Sequence, residues 1–139
     1  MTLKNSEPLV SVIINCFNGA EFLKSAIDSV REQTYSNWEI IFWDNISTDN
    51  SANIIHEYKD SRIKYFYADK HTPLYSARNR AIEKSAGEFI AFLDVDDVWN
   101  KEKLSKQIPL FTDQNVGFSC SKYILLDQRK LKVIKKNVF

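Results

Sequence analysis

Three observations predict an α/β fold built on a mainly parallel sheet. Short apolar runs such as Leu9-Val10-Ser11-Val12-Ile13-Ile14-Asn15 recur with little charge, stretches with apolar residues at helical spacing separate them, and polar residues gather where the runs end. Near-continuous apolar strands alternating with helices are what a parallel sheet covered on both faces requires.

The elements follow in order. Leu9 to Asn15 is rich in β-branched residues and too short for a stable helix, so it reads as a buried strand. After Asn18-Gly19 the period changes: Phe22, Leu23, Ala26, Ile27 and Val30 mark an amphipathic helix from Glu21 to about Gln33. Trp38 to Trp43 is a second strand ending at Asp44, and a helix starting at Asp49 or Ser51 carries Ala52, Ile54, Ile55 and Tyr58. Ile63 to Tyr67 is shorter and half alternating, as suits a strand nearer a sheet edge. Ala68 to Thr72 forms a loop, and a third helix runs from Pro73 or Leu74 to Gly87 as its stop. Phe89 to Leu93 is a fourth strand, Lys101 to about Phe111 a fourth helix, and Val116 to Tyr123 a fifth strand, with a hairpin through Asp127-Gln128 in the tail. No repeat or linker interrupts residues 1–139, which read as one domain.

Composition narrows the function. The 139 residues are 44% hydrophobic and 27% charged, enough to bury a core. Nineteen Lys and Arg against eighteen Asp and Glu leave +1, so no bulk charge draws the chain to nucleic acid. The basic run Arg129 to Lys136 reads as a solvated strand or tail. Cys16 and Cys120 have no metal-ligand spacing and read as two buried thiols in a reducing compartment. No apolar run of about twenty residues appears. The expected setting is cytoplasmic.

In open α/β sheets, ligands sit outside the carboxyl ends of the strands. The ends here carry Asn15 and Asn18, then Asp44 and Asn45, then Asp69, Lys70 and His71, then the acidic Asp94-Val95-Asp96-Asp97. Carboxylates this close repel unless something neutralises them. Hard Mg²⁺, Mn²⁺ or Ca²⁺ is one neutraliser; a helix cap before Lys101 is the alternative. A shared rim of sequence-distant acids, with Arg78 and Arg80 on the intervening helix, suits a metal-bound phosphate ligand. Glycine-rich dinucleotide and P-loop signatures are absent, and neither His56 nor His71 lies in a nucleophile motif. His56 reads as a helix-surface residue. His71 sits in the rim loop, where a substrate contact is open.

Four ordered blocks carry a resemblance. Pro8 to Asn18, Glu39 to Ser51, Ala77-Arg78-Asn79 and Gly87 to Asp97 together resemble the family 2 glycosyltransferases over about residues 8–111. The resemblance implies a Rossmann-like GT-A domain that binds a nucleotide diphosphate sugar. It implies transfer of the sugar, from a UDP-sugar as the expected donor, to a saccharide, lipid-linked or protein acceptor with inversion. It places the nucleobase near Cys16, Phe17 and Asn18, with Asp44 recognising the base and Asn45 beside it. It makes Asp94-Val95-Asp96 a DXD motif in which Asp94 and Asp96 meet Mn²⁺ or Mg²⁺, and it brings Arg78 to the nucleotide.

Two departures qualify the match. Asn45-Ile46-Ser47 replaces the family's Asp-Gly-Ser, and a β-branched Ile46 is expected to resist the left-handed turn that glycine would take. The family's general base belongs to an acceptor-side half, of which 112–139 would be the start, so the base is expected beyond Phe139. Two rival readings stand beside the enzyme. One is a nucleotide-sugar-binding module or inactive fragment without turnover. The other is a phosphoacceptor domain, which would want paired acids after the first strand, where Asn15 stands.

Overall fold

The computed structural model describes residues 7–127 and 132–136, with the side chains of 7–125. Four parallel strands, β1 (Val10–Cys16), β2 (Trp38–Asp44), β3 (Ile63–Tyr67) and β4 (Phe89–Phe92), form one sheet in the order β3-β2-β1-β4. The chain steps outward from β1 to β3, then crosses back to lay β4 on the other side of β1. The order therefore reverses between β1 and β4, the switch point where a crevice opens at the strand ends. The fold is the α/β architecture expected, with β3 at an edge.

Each face of the sheet has its own core. On one, Val12, Ile14, Ile40 and Phe42 meet helix α1 (Ala20–Arg31) through Leu23, Ala26, Ile27 and Val30, and helix α2 (Ser51–Glu57) through Ile55. On the other, Ile13, Ile41 and Trp43 meet helix α3 (Leu74–Ile82) through Ala77 and Ala81. Alternation along β1 and β2 sends successive side chains to opposite faces, and both faces are apolar. Truncating Leu23, fully buried, would cost about 2–5 kcal/mol.

Several expected boundaries move. Helix α3 stops at Ile82 rather than Gly87, because the Lys84 and Ser85 N–H groups turn back to the Ala81 and Ile82 carbonyls. Gly87 has another use: a Cβ there would lie 2.6 Å from the Ser11 nitrogen, so only glycine lets the chain reach β1 and start β4. The fourth helix breaks into α4 (Lys103–Gln107) and a 3₁₀ turn (Ile108–Thr112), because Pro109 has no N–H to continue an α-helix. The fifth strand expected at Val116 to Tyr123 does not form. Gly117, Ser119 and Ser121 offer little to bury, Phe118 is exposed, and the segment runs beside β4 without joining it. Strand β5 (Ile124–Asp127) instead pairs antiparallel with β6 (Lys132–Lys136) in a separate ribbon. The pairing matches the expected hairpin, and Lys132–Lys136 is the described part of the basic run; Gln128 to Leu131 lie outside the described residues. Coverage of the sheet is also incomplete: on β4, Ile90 and Phe92 are exposed.

A buried polar pin ties the amino ends of the strands together. Glu39 accepts from the Ser11 hydroxyl at 2.6 Å, the Lys64 ammonium at 2.6 Å and the Ala86 N–H at 2.8 Å. Burial pushes its carboxyl up, but the Lys64, Ser11 and Ala86 donors outweigh burial and hold it below the usual carboxylate range.

Candidate functional site

At the carboxyl end of the sheet, the loops after β1 and β2 are stitched into one unit. Asn18 adopts a left-handed backbone (φ 54°), and its Oδ1 accepts from the Thr48 N–H at 2.7 Å and the Thr48 hydroxyl at 3.3 Å. The Asn45 N–H donates to the Cys16 carbonyl at 2.8 Å. Asp49 serves two helices: Oδ2 accepts from the Ala20 N–H at the start of α1 (2.9 Å), and Oδ1 from the Ser51 N–H at the start of α2 (3.0 Å). Neither helix has a side-chain cap at its own N-cap position, so this carboxylate meets orphan donors of both. The Cys16 thiol is buried and donates to the Ser51 hydroxyl at 3.4 Å; burial pushes its pKa up. Cys120, expected to be buried, is exposed, because the segment around it forms no strand.

Asp44 lies inside this unit. Its side chain is fully buried, with Oδ1 accepting from the Ser47 N–H at 2.7 Å and Oδ2 from the Tyr65 hydroxyl at 2.9 Å. Those bonds hold a tight turn in which Ile46 does take the left-handed conformation, φ 70°, contrary to the expectation from its branched side chain. Such a residue costs roughly 1–2 kcal/mol, which the Asp44 bond to Ser47 and the packing of Ile46 against Trp43 and its neighbours offset.

Across the switch point, the acidic segment follows β4. The Leu93 N–H donates to the Ile13 carbonyl at 3.1 Å, so the β1 to β4 pairing continues up to the acids. Val95 then turns inward over Gly19. A Cβ at residue 19 would lie 2.8 and 2.9 Å from the two Val95 methyls and 3.0 Å from the Cys16 Sγ. Only a glycine there lets Val95 seat against Cys16, and that seat leaves Asp94 and Asp96 exposed on either side. Arg78 of α3 donates to Asp94 at 2.5 Å and lies over the Phe92 ring, 5.4 Å from its centroid. Burial, then the Asp96 and Asp94 carboxylates, push the Asp97 carboxyl up. The Asp97 N–H closes a turn onto the Asp94 carbonyl at 3.0 Å.

Among the described residues Arg78 pairs with Asp94, one of three neighbouring carboxylates, and the donors are all oxygen, so the segment suits a hard divalent ion. Among the described residues, no group of three or more His, Cys, Asp or Glu side chains is arranged to hold a metal. Asp94 and Asp96 by themselves are two exposed carboxylates, fewer oxygen ligands than such an ion takes.

The third wall is the loop between β3 and α3. The Ala68 N–H donates to the Asp44 carbonyl at 2.9 Å. The Asn45 side chain grips Thr72, donating to its carbonyl at 2.7 Å and accepting from its N–H at 3.1 Å. Between these anchors His71 reaches across to Phe17, ring centroids 4.6 Å apart and planes at 67°. The structure therefore brings Phe17, Asn18, Asp94, Val95, Asp96 and Arg78 to one end of the sheet and packs Cys16, Asp44 and Asn45 beneath them. Sequence reading missed Asp49 as a shared cap and Gly19 as the Val95 seat. The polar run Ser47-Thr48-Asp49 before a helix was the available signal for the first, and a glycine directly before α1 for the second.

These features define an α/β domain whose acidic and polar side chains gather outside the carboxyl ends of its strands. Residues 11–133 match the family model described as glycosyl transferase family 2, and the chain belongs to that family. It is 37% identical over 123 residues to WfgD of Escherichia coli, a UDP-Glc:alpha-D-GlcNAc-diphosphoundecaprenol beta-1,3-glucosyltransferase, covering 88% of this chain and 49% of WfgD. Among solved structures, Staphylococcus aureus TarS 1-349 in complex with UDP-GlcNAc superposes with a TM-score of 0.69 at 27% identity, over 84% of this chain and 33% of that one. The mannosyltransferase PcManGT of Pyrobaculum calidifontis, in complex with GDP-Man and Mn²⁺, shares the fold with a TM-score of 0.79 at 24% identity, over 86% of this chain and 37% of its own. The chain spans about half the length of the relatives it matches. No helix among the described residues is long and apolar enough to cross a membrane.

Proposed function

We propose that residues 1–139 form the donor-binding part of an inverting glycosyltransferase, which takes its sugar from a nucleotide diphosphate sugar, a UDP-sugar, with Mn²⁺ or Mg²⁺. The observation that carries this reading is the acidic segment, seated by Val95 on Gly19 at the switch point with Asp94 paired to Arg78. The UDP-GlcNAc complex of TarS and the UDP-Glc in the name of WfgD support a uridine donor. In this reading Asp94 and Asp96 hold the cation and Arg78 meets the nucleotide. With the cation bound, charge gathering on the departing diphosphate is offset. The stitched loops keep the base end of the site fixed before the donor arrives, which lowers the ordering cost of binding.

Residues 112–139 begin the acceptor side, and the base that activates the acceptor belongs to the length of the relatives that this chain does not span. The acceptor is a saccharide, a lipid-linked sugar or a protein, the lipid-linked case calling for work at a membrane surface. Calorimetric titration of UDP with and without Mn²⁺ tests the donor site. Binding should require the cation, and Asp96→Ala should weaken it by at least about tenfold, because one of two protein carboxylates is lost. Cation-independent binding, or binding indifferent to Asp96→Ala, would refute the reading.

A further inference from the structure

We infer that the free edge of β4 and the segment Val116 to Ser121 are the two banks of a slot that takes one β-strand, supplied by polypeptide from the half of the relatives' length that this chain does not span. The slot stands independently of the donor reading.

Strand β4 is the last in its sheet, and its outward edge has no partner strand. The Phe89 N–H donates to the Leu9 carbonyl at 3.2 Å and the Leu93 N–H to the Ile13 carbonyl at 3.1 Å. Bonding direction alternates along a strand, so the Ile90 and Phe92 N–H groups point away from β1. An apolar edge of this kind, with Ile90 37% and Phe92 48% exposed, is a template for a further strand.

That edge borders a cavity of about 1040 Å³, floored by Leu104, Ile108 and Phe111 and walled on the far side by Val116 to Ser121. The far wall is tied in place from α4: the Ser119 hydroxyl accepts from the Gln107 amide at 3.1 Å, and the Ser121 hydroxyl from the Lys103 ammonium at 3.2 Å. Its Phe118 ring is left 83% exposed. Among the described residues, the Gly117 to Ser121 N–H groups donate to no backbone carbonyl. Two rows of unused backbone groups thus line one apolar cavity. An inserted strand meets both rows, covers Ile90, Phe92 and Phe118, and turns Val116 to Ser121 into the strand that its sequence suggests.

A second copy pairing edge to edge through β4 would leave Val116 to Ser121 unpaired, whereas an inserted strand serves both banks. The chain spans 49% of WfgD, so that relative has about as much polypeptide again from which to fill the slot. At the carboxyl end of the slot the Phe92 ring lies 5.4 Å from the Arg78 guanidinium, so the docked strand runs up to the acidic segment.

Hydrogen exchange read amide by amide tests this on residues 1–139 and on a fusion of them to the part of WfgD outside the match. In 1–139 alone, the Ile90, Phe92 and Gly117 to Ser121 amides should exchange fast and the Phe89 and Leu93 amides slowly. In the fusion, the fast set should slow by at least about 100-fold. Phe118→Asp should leave the melting of 1–139 unchanged, since the ring is exposed, and should speed Ile90 and Phe92 exchange in the fusion by at least about tenfold. Ile90 and Phe92 amides that stay fast in the fusion while Phe89 and Leu93 stay slow overturn the slot. So do Ile90 and Phe92 amides already slow in 1–139, whether in a monomer with a closed edge or in a sedimenting dimer whose second copy fills it. UDP binding plays no part in these measurements, so either result leaves the donor reading standing.

Discussion

Replacing Gly19 by alanine tests how the acidic segment is held. The new Cβ would stand 2.8 and 2.9 Å from the Val95 methyls and 3.0 Å from Cys16 Sγ, whereas carbon atoms in contact settle at about 3.5–4.0 Å. Val95 must withdraw by roughly 1 Å, and because Asp94 and Asp96 flank it, both carboxylates shift with it. Overpacking of this kind costs about 1–3 kcal/mol of stability. A misplacement of about 1 Å at a site that depends on geometry can cost as much as about 100-fold. Chemical denaturation should show the stability loss, and calorimetry should show Mn²⁺-dependent UDP binding weakened at least about tenfold. Adding Val95→Ala removes the methyls in conflict and should restore much of both. The backbone of Gly19 has φ −103°, which alanine accepts, so the clash is the one cause available. Parental UDP affinity in Gly19→Ala would refute the claim that the Val95 seat positions the aspartates.

Two further predictions address the scaffold. Glu39→Gln loses the Lys64 ion pair and should cost about 1–3 kcal/mol at pH 7. The folded carboxyl lies below its unfolded value of about 4.3, so its stabilisation is present above that pH and is lost as pH falls through the folded value. The gap between parent and variant should therefore shrink between pH 5 and pH 3 in urea melts, and a constant gap would contradict the assignment. A thiol reagent should modify Cys120 quickly and Cys16 only on unfolding, given one exposed and one buried thiol. Two fast thiols would show the loops after β1 and β2 to be open.

The strands and helices that build the sheet were legible because their signals are local. Short β-branched runs without charge suit buried strands, and the Leu23, Ala26, Ile27, Val30 stripe suits a helix with one buried face. The places where local reading failed are those where a residue serves something distant in sequence. Gly87 reads as a helix stop, yet its lack of a Cβ is used by Ser11, seventy-six residues earlier in the chain. Ile46 reads as hostile to a left-handed turn, yet Asp44, Tyr65 and the packing around Trp43 hold it there. Val116 to Tyr123 has a strand's length and an apolar alternation through Val116, Phe118 and Cys120, yet Phe118 and Cys120 stay exposed and the segment does not pair with β4.

The sequence by itself determined the α/β class, the polar strand ends and, through four ordered blocks, the family, because periodicity and motif spacing are properties of a chain read in one dimension. Tertiary structure alone decided which of those polar groups remain available to a ligand. It consumed Asp44, Asn45 and Asn18 in holding loops together, seated Val95 so that Asp94 and Asp96 stay exposed, and set His71 against Phe17. The physical reason is that a side chain's hydrogen-bonding capacity is finite, and only the folded chain shows where it has been used.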